Sequence, residues 1–238
     1  MIGRDFLQGT KYSRKDIGSN SGKYFYDSSR YKQYNNAKKF PLPKPTDLSQ
    51  KTLMECVKNR RSRRNFASDE VGLEKLSYIL WVSDGISKIT PNFEYRTAPS
   101  AGALYPIETY LVINRSSVVP TGIFHWNIPE HSLELIREGD FAREAAEAAL
   151  DQTMVARAPV VIIWTAVFSR STWKYKERAY RYVFLDAGHI AAQLFLGAVS
   201  VGCGTCQIAA FYDDEFNKLL EIDGVNESAL YLSVLGKT

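Results

Sequence analysis

The chain has few cysteines and no stretch that would direct it out of the cell. Three cysteines among 238 residues do not make a disulfide framework. Met1 is not followed by the apolar segment of a secretory signal. We therefore expect a cytoplasmic protein. Cys203 and Cys206 have no second Cys or His pair nearby in sequence to complete a zinc site, and we expect no metal.

Two common catalytic motifs are also missing. No Gly-x-Gly-x-x-Gly follows a strand, which argues against a dinucleotide-binding fold. Ser100 lacks the Gly-x-Ser-x-Gly context of a serine hydrolase. The three histidines are scattered along the chain, and His189 has the setting of an interior histidine more than that of a catalyst.

A single apolar run, residues 182–201, is long enough to cross a membrane. However, Asp186, His189 and Gln193 follow each other at intervals of three and four, so they share one helical face. A lipid-facing helix would not carry an acid, an imidazole and an amide together. We therefore predict a helix in a protein core or subunit interface, with small residues that admit a second helix, and no membrane association.

Positive charge is concentrated near the start of the chain. Residues 1–64 hold 16 Lys/Arg against 5 Asp/Glu, whereas the rest holds 14 against 21. Such asymmetry is found in nucleic-acid-binding arms, but no groove-reading motif accompanies it, and we expect no nucleic-acid partner. The other interpretation is a phosphate site together with a basic tail that lies on an acidic body.

The apolar spacing predicts an α+β domain with a mostly antiparallel sheet. Helices are expected over 46–59, 73–85, 141–150, 182–201 and 213–220. Strands are expected over 107–114, 122–126, 132–137, 159–167 and 229–235. In the first helix, Leu53, Met54 and Val57 are expected to face inward. Residues 1–45 show neither helical nor strand periodicity but are rich in aromatic residues. This composition predicts an extended arm, which leaves residues 46–238 as the folded domain.

Three stretches favour a phosphorylated planar ligand. Four arginines and Ser62 occur in Arg60–Arg64, and guanidinium groups bind phosphate through paired hydrogen bonds. A solvated charge run is the simpler explanation of this cluster. A Pro-Ser-Ala-Gly loop over 99–102 and a glycine turn at 202–204 would allow backbone to approach a flat ligand.

Together these stretches resemble the nitroreductase family of flavoproteins, and most closely its SagB-type branch, which includes dehydrogenases that oxidise azoline rings. The resemblance also rests on Lys174-Tyr175, Arg178–Tyr182 and Gly188-His189. It implies a nitroreductase-like fold, a homodimer with FMN at shared sites, and the long helix at the interface. It implies two-electron transfer through flavin N5, in azoline-to-azole oxidation or in NAD(P)H-dependent reduction of a small acceptor.

The resemblance also implies roles for individual residues. Those facing the cofactor in one subunit would be Arg60, Arg61, Ser62, Arg64, Gln207, Ile208, Ala209, Ala210 and Lys237. Those from the other subunit would be Pro99, Ser100, Ala101 and Gly102. Gln207 and Ala210 stand where relatives often have Pro and Gly. Lys174 and Tyr175, in a polar turn, would be catalytic, as proton acceptor and proton relay.

The substrate would be a small molecule or a peptide. The alternative is a non-catalytic or partner-dependent subunit of a peptide-modifying complex, with the aromatic arm as its docking element.

Overall fold

A seven-stranded antiparallel sheet forms the centre of the fold. In a computed structural model of the chain, the residues described are 1–14, 29–49, 51–91 and 93–238. The helices are α1 (Ile2–Gly9), α2 (Leu53–Asn59), α3 (Leu73–Asp84), α4 (Ala142–Ala148), α5 (Thr153–Arg157), α6 (Ser169–Tyr175), α7 (Ala179–Ser200) and α8 (Asp213–Leu219). The strands are β1 (Lys38–Pro41), β2 (Ile86–Thr90), β3 (Phe93–Arg96), β4 (Ile107–Ile113), β5 (Gly122–Asn127), β6 (Ser132–Glu138), β7 (Val160–Val167), β8 (Cys203–Ile208) and β9 (Glu227–Lys237).

The strand order is β1-β6-β5-β4-β7-β9-β8, and β2 and β3 form a separate hairpin. Successive side chains of a strand point to opposite faces, so each strand serves two cores. Leu111 of β4 belongs to the core shared with α3 and α7, whereas its neighbour Val112 belongs to the core shared with α4, α5 and α8. The α+β fold expected from the sequence, with a mostly antiparallel central sheet flanked by helices, is confirmed.

Helix α7 packs along one face of the sheet. The helical stretch Ser169–Ser200 is long and apolar enough to cross a membrane by length and composition alone. However, 61% of its most apolar window is buried inside the protein, as in the core helix of a globular domain. Gly197 lies against α3, and a Cβ there would come 3.0 Å from Val82. The second helix that was expected to approach α7 closely is therefore α3 of the same chain.

The first predicted helix is shorter than expected and faces the other way. It begins at Leu53, after Thr52, whose side chain accepts a hydrogen bond from the Glu55 backbone in a capping box. Cys56 faces the core, whereas the residues expected to face inward are exposed: Leu53 (70%), Met54 (62%) and Val57 (53%). The spacing was right for a helix and wrong for its orientation.

Several elements were not predicted, namely α1, β1, the β2–β3 hairpin, α5, α6 and β8. Lys174 and Tyr175 end a helix instead of lying in a polar turn, because residues 169–175 close helical hydrogen bonds. The segment after α7 turns at Gly202 and then continues as β8, which pairs with β9 from Cys203 to Ile208.

The basic arm lies on acidic groups of the body where it is described. Lys32 Nζ is 2.5 Å from Glu227, and Lys39 Nζ is 2.8 Å from Glu130. Tyr31 donates a hydrogen bond to Glu94. Residues 29–41 are thus held by charge and by aromatic hydroxyls, as expected, although Ile2–Gly9 is helical rather than extended. The aromatics at 24–26 lie outside the described residues, and the division of the chain at residue 45 stays a prediction.

Candidate functional site

The Pro-Ser-Ala-Gly loop is held in place by the central helix. Asp186 of α7 accepts hydrogen bonds from the Ser100 hydroxyl (2.6 Å) and from the Ala101 backbone N–H (3.2 Å). The Ser100 hydroxyl oxygen in turn accepts from the Tyr105 backbone at 2.9 Å. Burial raises the pKa of Asp186, and these two hydrogen bonds act against that rise. A buried carboxylate with such partners fixes the loop's conformation.

The same loop meets Lys174 and Tyr175. Gly102 has a positive φ of 65°, a conformation that suits glycine. A Cβ at this position would overlap the Tyr175 hydroxyl and lie 2.8 Å from Lys174 Nζ. The structure therefore brings together Gly102, Lys174 and Tyr175. We call the loop 99–102 with Lys174, Tyr175 and Asp186 the loop half-site.

The arginine stretch lines a pocket on another side of α7. This pocket of about 480 Å³ is formed by the following residues: Arg60, Ser62, Gly188, Ala191, Ala192, Phe195, Leu196, Gln207 and Tyr231. Its volume lies in the usual range for small-ligand sites, about 300–1,000 Å³. The Arg60 guanidinium lies 4.8 Å from the Phe195 ring centre. We call this group of residues the arginine half-site.

The stretch is anchored to β8 through its backbone. Ser62 forms a parallel bridge with Thr205, and the Arg63 N–H donates to the Thr205 carbonyl at 2.8 Å. Gln207 Nε2 donates to the Ala191 carbonyl at 3.3 Å. Gln207 Oε1 and Thr205 Oγ1 are buried without a hydrogen-bond partner among the described residues. Gln207 also lines the pocket, so its unpaired oxygen is an acceptor available to a ligand.

The remaining predicted ligands lie near this pocket without lining it. Arg61 donates to the carbonyls of Lys58 and Arg60, at the end of α2, and Arg64 is exposed. Lys237 Nζ is 3.2 Å from Asp69, so it is held by a carboxylate. Ile208 is buried, and the residues that follow it, 209 and 210, are exposed.

The two half-sites lie on opposite sides of α7. With 3.6 residues per turn, Asp186 and Gln193 share one side of the helix, and Gly188, Ala191 and Phe195 share the other. Consistently, Asp186 holds Ser100, and Gln193 donates to the Thr97 carbonyl at 3.0 Å. One chain therefore presents two separate groups of candidate residues rather than one continuous site.

Comparison with known proteins shows the family of the chain. Residues 57–237 match the model of the family described as the nitroreductase family. The chain belongs to the nitroreductase family. MJ1384, a candidate nitroreductase of Methanocaldococcus jannaschii, is 36% identical over 191 residues, which cover 80% of this chain and 93% of that protein.

More distant relatives extend the comparison. The microcin B17-processing protein McbC of Escherichia coli is 23% identical over 186 residues, 76% of this chain and 64% of McbC. A candidate nitroreductase from Anabaena variabilis has a crystal structure that matches with a TM-score of 0.81 and 27% identity. The match covers 98% of this chain but only 46% of the Anabaena protein. McbC supports the expected likeness to the SagB-type branch.

Sequence reasoning missed a buried charge network in this nitroreductase-family protein. His125 lies between two carboxylates, 2.9 Å from Glu108 and 2.9 Å from Glu134. Arg170 pairs with Glu108 at 2.6 Å, and all four side chains are almost fully buried. Burial alone would raise the pKa of Glu108, but the Arg170 charge and the His125 hydrogen bond lower it to about 2.

The same contacts act on the histidine. Burial alone would lower the pKa of His125, but hydrogen bonds to Glu108 and Glu134 raise it. Because both ring nitrogens face carboxylates, the imidazolium form fits this site. The network lies beneath the arm, since the Lys32 N–H donates to Glu108 and the Tyr34 N–H to Glu134. The sequence signal that could have revealed this network is the presence of polar residues inside otherwise apolar strands.

The cysteine pair lacks the geometry of a redox or metal site. Cys203 and Cys206 stand three residues apart on β8, so they point to opposite faces of the sheet and belong to different cores. Both are buried and free. Among the described residues, no group of three or more His, Cys, Asp or Glu side chains could hold a metal ion. His189, by contrast with its expected interior position, is exposed.

Proposed function

We propose that the protein is an FMN-dependent oxidoreductase of the SagB-type branch, and that two copies share each active site. The observation that carries this proposal is the placement of the two half-sites on opposite sides of α7. In a two-fold dimer whose interface contains α7, the arginine half-site of one subunit can face the loop half-site of the other. Each dimer would then have two complete sites.

The residues of the arginine half-site fit FMN. Arg60 and Ser62 line the pocket and offer donors to a phosphate. Small residues of α7, Gly188 and Ala191, leave room for a flat ring. The pyrimidine edge of a flavin carries donor and acceptor groups, and Gln207 Oε1 is an unpaired buried acceptor beside the pocket. Lys237 would reach the phosphate only by leaving Asp69.

When bound, FMN supplies two-electron transfer through its N5 atom. The chain's own residues would then handle protons and charge. Lys174 Nζ would take a proton from the carbon of an azoline substrate, and the Tyr175 hydroxyl would relay or donate one. A cation from the arginine stretch, such as Arg64, would stabilise negative charge at the pyrimidine edge. In the opposite direction, the same pair would protonate a small acceptor reduced by NAD(P)H.

The exposed apolar surface supports the dimer. Leu53, Met54 and Val57 of α2 and Phe184 and Leu185 of α7 are all more than half exposed. Gly188, Ala191 and Phe195, three of the five α7 residues that line the pocket, share the side of the helix that carries Phe184. Exposed apolar side chains next to a ligand pocket are typical of a protein–protein interface. A partner subunit there would cover the surface and complete the site.

An absorbance spectrum tests the cofactor directly. The purified protein should be yellow, and the protein stripped of flavin should quench FMN fluorescence on titration. A colourless protein that leaves FMN fluorescence unchanged would refute FMN binding. Bleaching of the bound flavin by NAD(P)H, or by a peptide that contains an azoline ring, would then identify the class of electron donor.

A partner-dependent role in a peptide-modifying complex is the second candidate. The similarity to McbC, which takes part in processing microcin B17, favours it. Turnover by the purified chain alone separates the two. Activity that appears only after other proteins are added would support the partner-dependent role, and activity of the isolated dimer would refute it.

A further inference from the structure

Tyr175 is held by a second tyrosine at the start of α7. The rings of Tyr175 and Tyr182 meet edge to face, with centres 4.9 Å apart and an interplanar angle of 80°. This is a favoured geometry for two aromatic rings. Since the Tyr175 hydroxyl is next to Gly102, the orientation of its ring decides whether that hydroxyl faces the loop. The position of Tyr182 therefore affects the loop half-site directly.

Arg178 fixes Tyr182 from the other side. Its Nε donates to the Tyr182 hydroxyl at 2.9 Å, and its Nη1 donates to the Thr10 carbonyl at 2.8 Å. The guanidinium also lies 4.5 Å from the Tyr12 ring centre. A planar fork with several donors can hold two partners at once, which a lysine ammonium on a flexible stem does much less well. Arg178 thus connects residues 10–12 to the tyrosine pair.

The N-terminal segment is attached to α7 mainly by polar contacts. Helix α1 has no buried residue, and Thr10, just after it, is buried. Arg181 Nε donates to Thr10 Oγ1 at 2.7 Å, and its Nη2 donates to the Leu7 carbonyl at 2.5 Å. Both arginines therefore bind the carbonyl end of α1, where a helix presents unpaired acceptors and partial negative charge. Arg178 differs from Arg181 in that it also donates to Tyr182 and lies over the Tyr12 ring.

We propose that Arg178 is a positioning residue for Tyr175, acting through Tyr182, and that the N-terminal segment holds Arg178 in place. The catalytic consequence rests on the proposed function, because it takes Tyr175 to be part of the active site. The structural part concerns contacts within one chain. Arg178 sets the Tyr182 ring, the Tyr182 ring sets the Tyr175 ring, and the Tyr175 hydroxyl is thereby kept at Gly102.

The difference between the two arginines supplies a matched control. Arg178→Gln removes the guanidinium, and Tyr182→Phe keeps the ring but removes the hydroxyl that Arg178 holds. Each should lower kcat by about tenfold with little change in KM, and the double variant should be no worse than either single one, as expected for residues acting as a unit. Arg181→Gln should loosen α1 as Arg178→Gln does, but it leaves the Arg178–Tyr182 hydrogen bond in place. The kcat of this variant should therefore stay within about twofold of the parent value.

A fluorine NMR measurement tests the same link without flavin or turnover. The Tyr175→3-fluorotyrosine protein should give one sharp resonance, which moves or broadens with Arg178→Gln and with Tyr182→Phe but not with Arg181→Gln. Tyr182→Phe is conservative, so it tests the link even if Arg178→Gln does not fold. An unmoved resonance in Tyr182→Phe, or an equal shift in Arg181→Gln, would overturn the proposal. A moved resonance in a protein that binds no FMN would support the positioning and refute the proposed function.

Discussion

Replacing Gly102 with alanine adds one methyl group where the loop meets Lys174 and Tyr175. Two effects follow. The left-handed conformation at φ 65° costs a non-glycine residue about 1–2 kcal/mol. The new Cβ would also overlap the Tyr175 hydroxyl and lie 2.8 Å from Lys174 Nζ. Those atoms are the far ends of flexible side chains, so they can move aside at little cost in stability. The overlap should therefore displace the candidate catalytic groups rather than unfold the protein.

Gly202→Ala is the matched control for backbone strain. Gly202 also has a positive φ, 76°, but no atom of the described residues would lie within 4 Å of its Cβ. Both variants should lose about 1–2 kcal/mol of unfolding free energy. For a chain of this size that lowers Tm by about 2–8 °C, as thermal unfolding would measure. Only Gly102→Ala should also lose turnover, by about a hundredfold, the usual scale for a positioned acid or base.

The assay compares turnover of the flavin-loaded variants on the same substrate at a temperature where both are folded. Equal turnover in Gly102→Ala and Gly202→Ala would refute the argument that Lys174 and Tyr175 act at the loop. A loss of stability far larger in Gly102→Ala would also count against it, since the overlap would then strain the backbone instead of moving two side-chain ends.

Three further perturbations test other parts of the account. Arg64→Ala should weaken FMN binding by roughly tenfold in a fluorescence titration, whereas Arg143→Ala, exposed on α4, should not; equal affinities would exclude a role for Arg64 in holding FMN. His125→Gln should lower the urea-unfolding free energy by about 3 kcal/mol. Because the pKa of His125 is raised in the folded state, the full decrease in unfolding free energy should be seen below about pH 6.5, and the decrease should become smaller as pH rises. A decrease that does not change with pH would contradict a buried imidazolium. Leu185→Glu should convert a dimer to a monomer in light scattering, while Val225→Glu, at a site that is 75% exposed, should not; a dimer in both would place the interface elsewhere.

The sequence was informative where apolar spacing is long and regular. Helix α7, the buried strand β7 and the β5–β6 hairpin were predicted within a few residues, because burial on one or both faces produces a clear period. Strand β8 was missed because Cys203–Ile208 contains one glycine, two cysteines and only two β-branched residues; its pairing with β9 makes it a strand.

Apolar spacing does not tell which protein surface a helix face meets. The pattern in α2 predicted Leu53 and Val57 as core residues, yet both are exposed, while Cys56 faces the core. A helix that contributes to an interface between subunits has two apolar surfaces, and one chain cannot distinguish them. In the same way, the small size of Gly197 admits Val82 of α3 within the same chain.

The candidate site was predicted in its residue types and not in its geometry. The arginine stretch, the loop and Lys174-Tyr175 were named from the sequence, and the structure places the last two together at Gly102. Sequence reasoning could not show that Asp186 holds Ser100, since that contact joins residues 86 positions apart. It also missed that Arg178 binds the end of α1, because no helix was predicted there.

Co-expression of two inactive variants tests the shared site most directly. Arg60→Glu disables the arginine half-site, and Lys174→Ala disables the loop half-site. If each site takes one half from each subunit, a mixed dimer has one intact site and one doubly disabled site. Random pairing should then restore about a quarter of the parental activity. Activity that stays at the level of the separate variants, in a preparation shown by mass spectrometry to contain mixed dimers, would contradict a site shared between subunits.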